Sequence, residues 1–296
     1  MPLWEDPIEL LSLIKTVDII TRARVTGQKA GTHLSLFKGQ GLEFSEIREY
    51  IPGDDIRAID WKVTARYGVP HVKEYTEERD HTYYFVLDLS GSGAFGTVIS
   101  KYRMMLEIFA SLAFAAARYH DRAGLIIVTD RVEVFIPARG GRSHVVHLIR
   151  TVSEHIPESS KSDIRPALYD LLARLSRMTT VIILSDFYIP DFSHELTLLR
   201  HRHEVFAIQV TDHRESELPD VGLIELEDAE TGEQILIDTS DPDFREEYRN
   251  TVIRADKQTL EMFRKAHVQV ESVTTGGDWR IPLERMFSGI RTRGVL

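Results

Sequence analysis

Three oxygen-bearing side chains that lie close together in the sequence are the residues best suited to do chemistry. Asp88, Ser90 and Ser92 follow a D-x-S-x-S spacing within a glycine-rich stretch. A carboxylate and two hydroxyls are hard oxygen donors, which suit Mg²⁺ or Mn²⁺ rather than zinc or copper. Because Mg²⁺ prefers octahedral oxygen coordination, other loops would have to supply further donors.

An apolar run precedes these residues and a long helical segment follows them. Residues Tyr83–Leu87 are continuously apolar, which is typical of a strand buried on both faces of a parallel sheet. Lys101–His120 has the length of about five helical turns. Ligands of open α/β folds bind at the carboxyl ends of the strands, so we expect the D-x-S-x-S loop at that edge.

Two later segments are candidates for the missing donors. Val181–Asp186 is a second buried-strand pattern, and it also ends in a carboxylate. Ser162 precedes the predicted helix Arg165–Leu175 and offers another hydroxyl. Three separate loops are therefore predicted to meet at one edge of the sheet.

This arrangement resembles a von Willebrand factor A domain with its metal-ion-dependent adhesion site (MIDAS), on the residues Asp88, Ser90, Ser92, Ser162 and Asp186. The resemblance implies an α/β fold with a doubly wound, mostly parallel sheet and helices on both faces. It also implies that Ser90 and Ser92 bind Mg²⁺ (or Mn²⁺) directly, that the two Asp residues act largely through water, and that Ser162 is the third-loop hydroxyl. One coordination site would be left for a carboxylate from a protein partner.

Two positions depart from that pattern. In that pattern, Thr is more common than Ser at the third-loop position, which Ser162 occupies here. Gly commonly follows the last Asp, whereas Phe187 follows Asp186 in this chain. Taken alone, D-x-S-x-S also fits ordinary loop and cap residues, because Asp and Ser are frequent in both.

Residues 41–79 form a second dense patch of charged and aromatic residues. They are similar to the bacterial family called domain of unknown function 58, on Gly41, Glu43-Phe44, Arg48-Glu49-Tyr50, Pro52-Gly53-Asp54-Asp55, Arg57, Ile59-Asp60-Trp61, Thr64-Ala65-Arg66 and Glu77-Glu78-Arg79. The resemblance implies a family-specific N-terminal segment, residues 1–80, packed on a von Willebrand A-like domain, residues 81–296. It further implies a MoxR-type AAA+ ATPase, or the client of that ATPase, as the partner of an adaptor in assembly or maturation.

The same patch leaves a second function open. A metal-dependent hydrolase of a phosphate or ester would use Asp54, Asp55 or Asp60 as a base. We favour structural roles, since carboxylates beside a Pro-Gly turn commonly cap helices, and we expect Trp61 to be a buried anchor. The sequence also lacks an obvious second carboxylate cluster or nucleophile–His pair, so a non-enzymatic binding module is predicted. A purely structural domain is the third alternative.

Composition limits the class of protein. The net charge of −10 argues against a nucleic-acid or anionic-membrane binder, and the absence of Cys excludes disulfides and thiol catalysis. The first residues lack the pattern of a signal peptide, and the apolar stretch Met104–Ala117 is too short to span a bilayer. A cytoplasmic location without membrane insertion is expected.

The remaining segments predict ordinary helices, hairpins and loops. Asp6–Thr26 is predicted to be a helix, and Lys38–Gly41 lacks the ending of a phosphate-binding loop. A loop at 139–142 carries two arginines that we place near the site, and residues 220–240 form an inserted hairpin. A zinc site at His194, His201 and His203 is disfavoured relative to a solvated surface.

Overall fold

The computed structural model describes residues 42–51, 54, 56–77 and 81–288 of the 296-residue chain. Its strands are β1 (Leu42–Glu49), β2 (His71–Glu77), β3 (Thr82–Asp88), β4 (Arg122–Val128), β5 (Val132–Gly140), β6 (Thr180–Ser185), β7 (Glu204–Thr211), β8 (Leu223–Glu227), β9 (Gln234–Asp238) and β10 (Gln269–Thr274). Its α-helices are α1 (Trp61–Tyr67), α2 (Lys101–Arg118), α3 (Arg142–Glu154), α4 (Arg165–Arg174), α5 (Ser193–Arg202), α6 (His213–Ser216), α7 (Pro242–Lys265) and α8 (Arg280–Ser288).

A six-stranded sheet in the order β10-β7-β6-β3-β4-β5 forms the centre of the molecule. Every neighbouring pair is parallel except β4 and β5, which are joined as an antiparallel hairpin at the edge. The central strands β3 and β6 are buried along nearly their whole length. Their continuous apolar runs are therefore explained by burial on both faces of the sheet.

Helices cover both faces of this sheet. Along β3, the side chains of Tyr83, Phe85 and Leu87 belong to a core shared with α2, α3 and α8. Tyr84 and Val86, which alternate with them, belong to a second core shared with α4, α5 and α7. The alternation follows from the two-residue period of a strand, and it confirms the predicted doubly wound, mostly parallel α/β fold.

Two small antiparallel ribbons lie outside the main sheet. The pair β1–β2 precedes it in the chain, and β8–β9 forms a hairpin within the predicted insertion at 220–240. The helix predicted at Asp6–Thr26 and the turn-rich segment at 27–41 lie outside the described residues. The division into an N-terminal segment (1–80) and a main domain (81–296) stays a prediction.

Helix α2 shows how the sequence positions the site. Its N-terminus is capped by Ser100, whose side chain accepts a hydrogen bond from the Arg103 backbone N–H at 3.2 Å. The apolar stretch Met104–Ala117 is part of this helix, and its buried side chains pack against the sheet. Over the part of the chain that the structure describes, no helix has both the length and the apolar character needed to cross a bilayer.

Trp61 differs from its prediction. It is 67% exposed and opens helix α1, so the expectation of a buried anchor was wrong. The neighbouring Asp60 caps this helix by accepting hydrogen bonds from the backbone N–H groups of Lys62 and Val63. None of the residues of α1 is buried, so Trp61 opens a helix that lies at the surface.

Candidate functional site

Asp88, at the carboxyl end of β3, is the centre of the site. Its Oδ2 atom accepts hydrogen bonds from the hydroxyls of Ser162 and Ser185, both at 2.8 Å. Its Oδ1 atom accepts one from the Ser90 backbone N–H at 3.0 Å. Burial, followed by the negative charge of Asp186, raises the pKa of Asp88, and the hydrogen bonds from Ser185 and Ser90 oppose that rise. The loop after β3, the last residue of β6 and the loop before α4 thus meet at one carboxylate.

The D-x-S-x-S loop turns sharply over the sheet edge. The Oγ atoms of Ser90 and Ser92 lie 3.4 Å apart. The hydroxyl of Tyr102 donates to the carbonyl oxygens of Leu89, at 2.7 Å, and of Ser90. A Cβ atom at Gly93 would lie 2.1 Å from the Tyr102 ring, so only glycine allows this approach. The conformation of the loop is therefore fixed from beneath by helix α2.

Backbone contacts hold the loop of Ser162 against its neighbours. The Asp163 N–H donates to the carbonyl oxygen of Thr129 at 2.8 Å, which ties the loop to the end of β4. The Gly91 N–H donates to the carbonyl oxygen of Ser160 at 2.8 Å, which ties it to the D-x-S-x-S loop. The Ser162 side chain is 7% exposed, so its hydroxyl is directed inward to Asp88 rather than to solvent.

A buried lysine contacts the second carboxylate of the site. The Nζ atom of Lys101 lies 2.6 Å from Asp186 Oδ2 and 2.5 Å from Glu215 Oε1. Burial alone would lower the pKa of Lys101, but the charges and hydrogen bonds of the two carboxylates raise it. The ammonium group is therefore a fixed positive charge next to Asp186 and Glu215.

Sequence reasoning missed Lys101 and Ser185. Lys101 looked like an ordinary polar residue at the start of a helix, and its partners lie 85 and 114 positions away. Ser185 is fully buried and directly precedes Asp186, so a hydroxyl at the end of a buried strand was the available signal.

Phe187 occupies the position where glycine is common. Its φ angle is 60°, in the left-handed region that residues other than Gly rarely adopt. Its ring is 3% exposed and packs against Phe192 and Phe263, with centroids 6.1 and 4.9 Å away. Aromatic packing therefore holds a backbone conformation that would suit glycine better.

The donor set fits a divalent cation. A serine hydroxyl that donates its proton to Asp88 keeps lone pairs for a metal, and hydroxyl and carboxylate oxygens are the ligands that Mg²⁺ prefers. When ionised, the three carboxylates of Asp88, Asp186 and Glu215 and the one ammonium of Lys101 carry a net charge of −2. All hydrogen bonds to Asp88 come from neutral groups, so its charge is not paired within the described residues.

The carboxylates considered for a hydrolase have other contacts. Asp54 accepts two hydrogen bonds from Arg48, at 2.7 and 2.9 Å, and these hold its pKa down at about 2. Asp60 caps α1. Asp55 lies outside the described residues. The geometry of Asp54 and Asp60 thus supports the structural interpretation of this segment.

The arginines at 139 and 142 were wrongly placed near the site. Strand β5 runs antiparallel to β4, and Arg139 pairs with Ala123 at the start of β4, whereas Asp88 pairs with Val128 at its end. The segment is also not a loop, because β5 continues to Gly140 and α3 begins at Arg142. Both arginines therefore lie at the amino ends of the parallel strands, whereas the site lies at their carboxyl ends.

His194 at the start of α5, and His201 and His203 at its end, do not form a metal cluster. His194 and His201 are exposed, but His203 is 3% exposed, so the expected solvated surface holds for only two of them. Throughout the described ranges, no three His, Asp or Glu side chains come together as a group that could hold a metal ion by themselves. A metal site among the described residues would therefore need oxygen ligands of another kind, such as the serine hydroxyls.

Comparison with known proteins places the chain among bacterial relatives. A family model described as "Protein of unknown function DUF58" matches residues 46–258. The uncharacterized protein Rv1480 of Mycobacterium tuberculosis (strain H37Rv) is 33% identical over 297 residues, which cover 99% of this chain and 92% of that protein. The uncharacterized protein YeaD of Bacillus subtilis (strain 168) is 29% identical over 106 residues, which cover 36% of this chain and 25% of that protein.

Solved structures with a similar fold have little sequence identity. The conserved hypothetical protein BatB from Bacteroides thetaiotaomicron is 11% identical with a TM-score of 0.47, over 71% of this chain and 98% of that chain. The SpRpn10 VWA domain is 9% identical with a TM-score of 0.40, over 71% of this chain and 95% of that chain.

Proposed function

Because the chain belongs to the DUF58 family and has a von Willebrand factor A-like fold, we propose that it is a cation-dependent protein-binding module. The observation that carries the proposal is the meeting of three loops at Asp88, through the hydrogen bonds of Ser162, Ser185 and Ser90. A buried acidic group without a paired cation is costly, and a divalent ion at the site would compensate it.

Each residue of the site has a distinct part in this proposal. The hydroxyls of Ser90, Ser92 and Ser162 bind the cation, while Asp88 and Asp186 orient its water ligands. When bound, Mg²⁺ supplies a Lewis-acidic contact with a position open to a carboxylate of the partner. Lys101 holds Asp186 in place and offsets its charge, so the cation site does not carry the full charge of both Asp residues.

Exposed apolar residues in the site loops would contact the partner. Phe95 and Val98, in the loop that follows Ser92, are 46% and 72% exposed, and Tyr188, two residues after Asp186, is 37% exposed. Exposed aromatic side chains of this kind are enriched where proteins bind one another. Specificity is therefore assigned to these residues. Arg139 and Arg142 lie at the opposite end of the strands and do not contribute to it.

The partner that we propose is a MoxR-type AAA+ ATPase, or the client on which that ATPase acts. The module would then be a non-enzymatic adaptor in chaperone-like assembly or maturation. An acidic side chain of the partner would bind the cation, and the surrounding loops would discriminate among partners.

A capture experiment with purified components tests this function. We expect a MoxR-type AAA+ ATPase of the source bacterium to be retained by the immobilised chain in millimolar Mg²⁺ and released by EDTA. The double variant Asp88→Ala, Ser90→Ala should lose this capture. Arg139→Glu, at the opposite edge, is the matched control and should retain it. Equal capture by the wild type and the double variant would overturn the proposal.

A further inference from the structure

The segment that carries Ser162 depends on side chains from elsewhere for its position. Residues 155–164, which the structure describes in full, connect α3 to α4 without forming a helix or strand. Ile156 is 58% exposed, so the middle of the segment lies at the surface, whereas Ser162 is buried. Because no regular backbone ladder orders such a segment, other contacts must hold the Ser162 hydroxyl in place.

The carboxylate of Glu133, on strand β5, is the centre of the contacts that hold this segment. Its Oε2 atom lies 2.6 Å from His155 Nε2. The backbone N–H of Glu158 donates to both carboxylate oxygens, at 3.0 and 3.1 Å. The hydroxyl of Thr129 donates to Oε1 at 2.6 Å. The Glu133 side chain is 0% exposed, so one buried carboxylate holds the segment at His155 and again at Glu158.

These hydrogen bonds require Glu133 to be ionised. An ionised carboxylate only accepts, and all the groups around it can donate. Burial would raise the pKa of Glu133, but the hydrogen bonds from Thr129, His155 and the Glu158 N–H outweigh burial and lower it. Since the carboxylate is charged at neutral pH, Nε2 is a ring nitrogen of His155 that carries a proton.

The same cluster also fixes the segment on the far side of Ser162. Thr129 directly follows β4, and its carbonyl oxygen accepts from the Asp163 N–H at 2.8 Å. The segment is therefore held before Ser162 by Glu133 and after it by Thr129, which is itself bonded to Glu133. Between these two points, the Ser162 hydroxyl donates to Asp88 Oδ2.

We propose that Glu133 is a positioning residue for the cation site, because it holds the segment of Ser162 where this hydroxyl can reach the cation. The inference rests on the proposed function, since it requires a cation bound by the serine hydroxyls. Glu133 is not a ligand in this proposal. It acts through His155 and the backbone of the segment.

Two substitutions remove the contacts of Glu133 in different ways. Glu133→Gln keeps the size of the side chain, but its amide nitrogen cannot accept a hydrogen bond, and the negative charge is lost. His155→Ala removes one contact and leaves the Glu133 carboxylate in place. Loss of charge alone would weaken cation binding only in Glu133→Gln, whereas loss of position weakens it in both variants.

Two further substitutions are matched controls. Arg131→Gln removes an ion pair to Glu158 in the same segment, but these side chains are 54% and 67% exposed, and such pairs contribute little. Val145→Ala truncates a buried side chain in the first turns of α3, at the end of that helix remote from the segment. It lowers the stability of the fold without removing a contact of Glu133.

Binding of Mn²⁺ to the full chain, followed by the electron paramagnetic resonance signal of the free ion well below the melting temperature, reports the affinity of the folded protein. We expect Glu133→Gln to weaken binding about tenfold, as loss of a group that orients a metal ligand commonly does. His155→Ala should weaken it in the same direction. Arg131→Gln and Val145→Ala should bind like the wild type.

A double-mutant cycle tests whether Glu133 acts through Ser162. In a chain that already carries Ser162→Ala, adding Glu133→Gln should weaken Mn²⁺ binding little further, because the hydroxyl that Glu133 positions is gone. An effect of charge or of general stability would instead add in full. In hydrogen exchange without metal, the Glu158 amide should exchange faster in Glu133→Gln than in the wild type.

The outcomes separate this inference from the function on which it rests. If the wild type binds Mn²⁺ and Asp88→Ala does not, but Glu133→Gln binds as tightly as the wild type, the positioning role is refuted and the cation site stands. Full additivity with Ser162→Ala, or equal weakening by Val145→Ala, also refutes it. If Glu133→Gln does not fold, wild-type affinity in His155→Ala refutes it. If the wild type binds no Mn²⁺, or if Asp88→Ala binds it equally well, the proposed function fails and this inference fails with it.

Discussion

The hydroxyl of Ser162 lies 2.8 Å from Asp88 Oδ2, although 74 positions separate the two residues in the chain. The contact joins the loop after β3 to the loop before α4, and Ser185 adds the end of β6 to the same oxygen atom. A carboxylate that accepts three hydrogen bonds in a buried position is held in one orientation. The site is therefore preorganised around Asp88.

Mg²⁺ should stabilise the folded chain. A cation that binds only the native state raises the free energy of unfolding by about 2.7 kcal/mol at one hundred times its dissociation constant. We expect thermal melting of the wild type to shift upward in Mg²⁺ and that of Asp88→Ala not to shift. Glu225→Ala removes an exposed carboxylate on β8 and should keep the shift. If millimolar Mg²⁺ does not change the melting temperature of the wild type, the result would favour a purely structural domain.

Lys101→Met should destabilise the chain strongly. The substitution leaves Asp186 buried without its ammonium partner, and breaking a buried pair in this way costs about 3 kcal/mol or more. Lys161→Met, at an exposed position near the site, should change the free energy of unfolding by less than about 0.5 kcal/mol. Urea unfolding measures both. Similar stabilities of the two variants would mean that the buried ion pair has no structural role.

Phe187 should show an inverted preference between Gly and Ala. Both substitutions remove the packed ring, but only glycine adopts a φ angle of 60° without strain, so Phe187→Gly should be more stable than Phe187→Ala by about 1 kcal/mol. Phe192 is equally buried and has a φ angle of −126°. At that position Ala should be the more stable replacement. The same order of stability at both sites would contradict this account of Phe187.

Asp212 should make stability depend on acid pH. The residue is 1% exposed; burial would raise its pKa, but hydrogen bonds from Thr275 and Thr97 dominate and hold it at about 2, below its ordinary value of 3.8. A lowered pKa in the folded state gives stability that is present above about pH 4 and is lost as the pH falls toward 2. The contribution amounts to about 2 kcal/mol.

Urea unfolding between pH 2 and pH 6 tests this prediction. The difference in stability between the wild type and Asp212→Asn should be largest at the upper end and should shrink as the pH falls. Asp54 remains in both proteins and its pKa is also about 2, so part of the acid dependence should persist in the variant. A difference that is constant over the whole range would show that Asp212 does not titrate in this way.

Much of the fold could be predicted from the sequence, because its central strands are unusually clear. The apolar runs that became β3 and β6 are continuous and end in carboxylates, which identified both the parallel sheet and the edge where the site lies. The hairpin β8–β9 was also predicted, within residues 220–240.

The remaining features depend on contacts between distant parts of the chain. Lys101 is buried because β6 and α6 bring Asp186 and Glu215 to it. No local sequence pattern predicts a buried lysine at this position. Arg139 was misplaced because an antiparallel edge strand returns to the far end of the sheet, which periodicity alone does not reveal. The hairpin β8–β9 was predicted, but its contact with Ser160 joins residues that are 70 positions apart.

Diffraction from crystals grown in Mn²⁺ tests the central claim most directly, because the anomalous signal locates the ion independently of any model of the protein. We predict a single strong peak in contact with the hydroxyls of Ser90 and Ser92 and next to Asp88. Crystals of Asp88→Ala should lack that peak. If the wild type in saturating Mn²⁺ shows no anomalous peak at these hydroxyls, or shows its peak elsewhere, the account is contradicted.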